Sequence, residues 1–110
     1  MAAHEDITDS KYTPVDLTTA HTANPRGVDG PFGRDLCLVY VPADGVVYVQ
    51  TGATDAGTSI ATGGPLPTGV WNGVPCRVED APGNAGTGRP TLYFEGSADI
   101  VVRFVTSGIG

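Results

Sequence analysis

Glycine and proline punctuate this chain so closely that a helical fold is excluded. Among 110 residues there are 16 Gly and 9 Pro. No window of about 11 residues satisfies a helical template without one of them. Each Gly or Pro inside a helix costs about 1 or 3 kcal/mol, respectively. What remains between the breaks is short and rich in β-branched and aromatic residues, which is the signature of strands. Length allows one domain and no second.

The strand signal begins at Leu36. Leu36–Val41 and Val46–Gln50 flank Pro42-Ala43-Asp44-Gly45 and read as a hairpin. Residues 51–69 are small and polar, with room for a short strand near Thr58–Ala61. Val70-Trp71-Asn72-Gly73-Val74 places Asn-Gly between apolar residues, a hairpin signal. Pro67 and Pro75 put those strands at an edge or a bulge. Residues 80–90 form a loop by composition. In Thr91–Glu95, Leu92 and Phe94 alternate with polar neighbours; in Ala98–Thr106, Ile100, Val102 and Phe104 share one face and Arg103 the other. The expected fold is all-β: a small antiparallel β-sandwich or barrel, jelly-roll-like, over residues 36–110.

Residues 1–35 show no helical or strand period, and Pro14, Pro25, Pro31 and three glycines break up residues 14–33. They read as an extended N-terminal arm, either mobile or laid against a partner and ordered there. The N-terminus MAAHEDITDS has neither a basic nor an apolar segment of the kind a secretory signal carries. No apolar run approaches the ~18 residues of a membrane span. The expectation is a chain made in a cytoplasm.

Twelve acids against six bases give a net charge of −6, and Lys11 is the only lysine. Binding to nucleic acid or an anionic membrane rests on neutralising phosphates, so neither is an expected partner. Cys37 and Cys76 both lie in apolar runs and read as buried thiols; a disulfide stays open, since spacing does not place the two Cα atoms. With His only at positions 4 and 21, the paired spacing of a zinc site is missing.

Catalytic constellations are weak throughout. Asp55-Ala56-Gly57-Thr58-Ser59 looks like the active-site turn of aspartic proteases, but Ala56 replaces the bracing hydroxyl and no apolar run leads into it. A Ser-His-Asp triad would have to draw on His4 or His21, both in the arm. Gly83–Gly88 lacks the spacing and the Lys-Ser/Thr ending of a phosphate loop. The acid pairs Glu5/Asp6 and Glu79/Asp80 sit in no recognisable Ca²⁺ loop. The chain reads as a non-enzyme with no cofactor. Candidate partner contacts are Tyr12, Leu17 and Phe32 in the arm, Trp71 as core or contact residue, and the strand arginines Arg77 and Arg103.

The layout carries a resemblance. Thr13-Pro14-x-Asp16-x-Thr18 comes first, then Arg34-x-Leu36 leading into the strands of Leu38 to Val49. Pro65-Leu66-Pro67-Thr68-Gly69, Val74-Pro75-Cys76-Arg77-Val78 and a final strand Ile100 to Val105 follow. This is similar to the small spike-base and head-decoration proteins of tailed bacteriophages and gene transfer agents. The resemblance implies a virion structural protein that binds the major capsid protein and copies of itself, as trimer or pentamer, and carries a fibre or spike protein. A tail or baseplate component, or a carbohydrate-binding host-recognition sandwich stacking sugars on Trp71, Tyr93 or Tyr48, are the alternatives.

Overall fold

A computed structural model describes residues 4–17, 26–51, 64–76 and 89–107. The described residues form eight strands and no helix. They are β1 (His4–Asp6), β2 (Thr13–Val15), β3 (Arg26–Asp29), β4 (Leu36–Tyr40), β5 (Val47–Thr51), β6 (Trp71–Pro75), β7 (Thr91–Gly96) and β8 (Ile100–Val105). One sheet has the order β1-β3-β7-β5, the other β2-β8-β4-β6. All pairings are antiparallel except β1 with β3. This is the β-sandwich that the sequence predicts.

Successive strands alternate strictly between the two sheets, in the manner of a jelly roll. None of the described strand pairs joins chain neighbours, and this corrects two sequence expectations. The turn at Pro42–Gly45 does form, with the Gly45 amide donating to the Pro42 carbonyl at 3.0 Å. It does not make a hairpin: β4 and β5 part into opposite sheets. Asn72-Gly73 is not a turn either. It lies inside β6, whose five residues pair in one run with β4. The Asn72 side-chain amide donates to the Pro67 carbonyl at 2.9 Å, so it fixes the preceding segment rather than reversing the strand. Pro75 does sit on an edge strand, where a missing N–H costs no ladder bond.

The core lies between the sheets. Val39, Leu92, Phe94, Val102 and Phe104 are fully buried, in step with the alternation of β4, β7 and β8. The larger correction concerns residues 1–35. Ile7, Val15, Leu17 and Val28 belong to the same core. β2 pairs with β8, and β3 with β7, so both sheets take strands from this third of the chain. The Ile7 amide donates to the Asp29 carbonyl at 2.9 Å, and the Leu17 amide to an Asp99 carboxylate oxygen at 3.0 Å. Arg89 donates to the carbonyls of Gly30 (2.8 Å) and Ile7 (3.2 Å) and pairs with the Asp6 carboxylate. Residues 4–17 and 26–35 are thus part of the sandwich, and the strand pairing draws no boundary between an arm of residues 1–35 and a domain of 36–110. Strands of three and four residues are too short to show a period, which is why sequence patterning misses them.

Candidate docking face

The second sheet has two apolar faces. Its inner face carries Cys37, Val39, Val74, Val102 and Phe104 into the core. Its outer face takes the alternate residues: Leu36, Leu38 and Tyr40 of β4, Val101, Arg103 and Val105 of β8, Trp71, Gly73 and Pro75 of β6. All of these are half-buried or exposed. Among the strand residues of this face no acid appears, although the chain has twelve acids. An antiparallel sheet with solvent on one side normally alternates apolar with polar. A contiguous apolar outer face marks a surface that meets another body.

Three aromatic rings cap this face. Tyr12 and Trp71 are 55% and 48% exposed. Tyr12 precedes β2 and Trp71 opens β6, at opposite edges of the sheet. With strands about 4.8 Å apart, those edges are separated by β8 and β4. The two rings nevertheless meet, centroids 5.2 Å apart and planes tilted by 52°. Trp71 also touches Tyr40 at 5.4 Å and 51°. The rings therefore lean inward and lie across the sheet. Such tilted contacts contribute about 0.5–1.5 kcal/mol each beyond the area they bury.

Arg103 anchors the corner. Its Nε donates to the Ser10 carbonyl at 2.7 Å, and its guanidinium lies 4.8 Å from the centre of the Tyr12 ring. Arg34 reaches the same turn, with Nε donating to the Ser10 hydroxyl at 2.9 Å and Nη1 to the Phe32 carbonyl at 3.3 Å. Phe32 is 72% exposed beside it. Lys11 is exposed next to Ser10; its amide donates to an Asp9 carboxylate oxygen at 3.2 Å.

Of the sequence-derived contact residues, the structure gathers Tyr12, Trp71 and Arg103 at one place and leaves Phe32 exposed near Arg34. Leu17 is not a contact residue: it is 2% exposed and belongs to the core. Arg77 lies outside the described residues, as do Asp55, His21, Glu79, Asp80, the strand expected near Thr58–Ala61 and the Gly83–Gly88 loop. Tyr93 is 1% exposed with Tyr48 packed against it, so it offers no ring for stacking a sugar. Sequence reasoning missed Tyr40, Leu38, Arg34 and Lys11. The runs Leu36–Val41 and Ile100–Val102 held a signal: near-continuous apolar strands are apolar on both faces.

Cys37 and Cys76 are free thiols on the core side, at β4 and just past β6. Burial pushes the Cys37 thiol far above its ordinary value, and the neighbouring Cys76 adds to the shift. Burial first, and Asp35 second, push Cys76 up to about 12. Both are protonated and poorly nucleophilic at neutral pH. A thiol held neutral in the fold ionises more readily once unfolded. Its stabilisation is complete below the ordinary value of 9.0 and is lost as the pH rises from there towards about 12. The unfolding free energy read from urea transitions is expected to fall across that window by up to about 1.4 kcal/mol per thiol per pH unit. A chain carrying Cys37→Ala and Cys76→Ala is expected to show a flatter profile. An equal slope in both chains would contradict the assignment.

Among the described residues no three of His, Cys, Asp and Glu stand close enough together to hold a metal ion. No protein-family model, no curated protein and no solved structure matches this chain.

Proposed function

We propose that this chain is a non-enzymatic structural protein of a phage particle, docking through the outer face of β2-β8-β4-β6. In this reading it decorates and stabilises the head or forms the base of a head spike. Its partners are the major capsid protein, further copies of itself and a fibre or spike protein. One observation carries the docking role: the apolar outer face of that sheet, with Tyr12 and Trp71 exposed upon it. Aromatic anchors in an apolar setting are the side chains that dominate protein interfaces. The phage assignment adds the resemblance in layout to spike-base and head-decoration proteins.

The test is incorporation. Particles purified from cells carrying the gene are expected to contain the chain by mass spectrometry. A chain with Tyr12→Ser and Trp71→Ser is expected to fold, because both side chains are exposed, and to be lost from the particles. Particles that lack the unaltered chain would end the phage reading. Particles that retain the doubly substituted chain at wild-type copy number would end the docking role of this face.

A further inference from the structure

The cations of this chain are not spread evenly. Lys11, Arg34 and Arg103, half of the six basic residues, converge on the turn at Ser10. Arg103 holds the Ser10 carbonyl, Arg34 holds the Ser10 hydroxyl, and Lys11 is the next residue. Among the described residues none of the three makes an ion pair, whereas Arg89, just before β7, is paired with Asp6. Each arginine spends its Nε on Ser10; both terminal nitrogens of Arg103 and Nη2 of Arg34 take no described partner. Asp9 stands at the same corner, with its carboxylate turned to the Lys11 amide. In a chain of net charge −6, three unneutralised cations gather beside Tyr12: Arg103 lies over its ring, Lys11 precedes it in the chain and Arg34 holds the same Ser10 turn.

This arrangement deepens the docking reading above and rests on it. The geometry points to a protein segment as the occupant, one that places a bulky apolar side chain against Tyr12 and Trp71 and a carboxylate on the free ends of Arg103 and Arg34. A guanidinium whose Nε is already fixed presents its remaining N–H groups in a set direction, and paired N–H groups match a carboxylate. The aromatic floor requires an apolar companion beside that acid. A polyanion such as nucleic acid meets three cations here but is opposed by the acidic remainder of the chain. A short acidic segment brings little charge beyond what the corner neutralises.

The experiment selects peptides from a random library on the immobilised full chain, with the Arg103→Gln chain as counter-selection. Enriched peptides are expected to carry Asp or Glu next to Trp, Phe or Leu. Binding of the enriched peptides that carry Phe or Leu rather than Trp is read from the emission of Trp71, the only tryptophan of this chain. Replacing the peptide acid by its amide is expected to weaken binding about tenfold, as are Arg103→Gln and added salt. Lys11→Gln, whose side chain makes no described contact, supplies a variant that leaves the fold intact and is expected to weaken binding several-fold. Enrichment of apolar peptides without acids would overturn the acidic occupant and leave the docking face standing. Tighter binding of heparin or single-stranded DNA than of any peptide would overturn it in favour of a polyanion. Particle incorporation lost with Trp71 but unaffected by Arg103→Gln would likewise reject the acid while keeping the face.

Discussion

A chain carrying Val15→Asp is expected to be unfolded at 25 °C, with near-ultraviolet circular dichroism lost and no cooperative urea transition. Val15 is fully buried and closes β2 opposite Ile100. An aspartate there puts a carboxylate into the apolar cluster that holds Leu17, Ile100 and Val102. Burying an unpaired acid costs several kcal/mol even when it protonates, and a domain of this size has only about 5–15 kcal/mol to lose. The same substitution discriminates between two pictures of the first third of the chain. If residues 1–35 were an arm that orders only on a partner, Val15→Asp would leave the melting curve of the isolated chain unchanged. As the edge strand paired with β8, β2 makes it decisive.

The second large effect couples Gly30 to Phe104. Phe104 is fully buried between the sheets, and Phe104→Ala is expected to cost about 3–5 kcal/mol through lost burial and the cavity left behind. Gly30 faces the same ring: a Cβ built there would lie 2.5 Å from Phe104 Cδ2 and 2.7 Å from Cε2. A core ring cannot swing away from that contact, so Gly30→Ala alone is expected to destabilise by about 1–3 kcal/mol. In the Phe104→Ala background the added methyl enters vacated space. The double variant is therefore expected to be more stable than the sum of the two singles by at least about 1 kcal/mol, measured by urea denaturation. Strict additivity would mean that Gly30 and Phe104 do not share this space.

These two sites show what a sequence of this kind discloses. Period-two alternation in Leu92–Phe94 and Ile100–Phe104 reports which side chains face the core, because alternation is a property of one strand. Partner choice is not. The turn at Pro42–Gly45 has the chemistry of a reversal, and the chain does reverse, but across the sandwich rather than within a sheet. Nothing local distinguishes the two outcomes. β1, β2 and β3 were hidden for another reason: three or four residues each, they are fixed by long-range pairing and by Arg89 and Asp99 rather than by their own pattern. The candidate face was half legible. Trp71 stood out as either core or contact, and Arg103 as outward-facing, but the meeting of Tyr12 with Trp71 needed the order β2-β8-β4-β6.

The strict alternation of strands between the sheets has a consequence for synthesis on the ribosome. Among the described strands β2, near residue 14, has only β8 as its partner, some ninety residues later. β3 can meet β1 early but must wait for β7 on its other side, and β4 waits for β6 and β8. Among the described strands no two that emerge one after the other pair, so until β6 and β7 appear the lengthening chain has only the three-residue β1–β3 contact to gather. Folding is deferred until most of the chain is available, and is slow for so many distant pairings. In the interval the apolar runs of β4 and β5 are exposed together. The closely spaced glycines and prolines that keep those runs short also protect the unfinished chain from joining its neighbours.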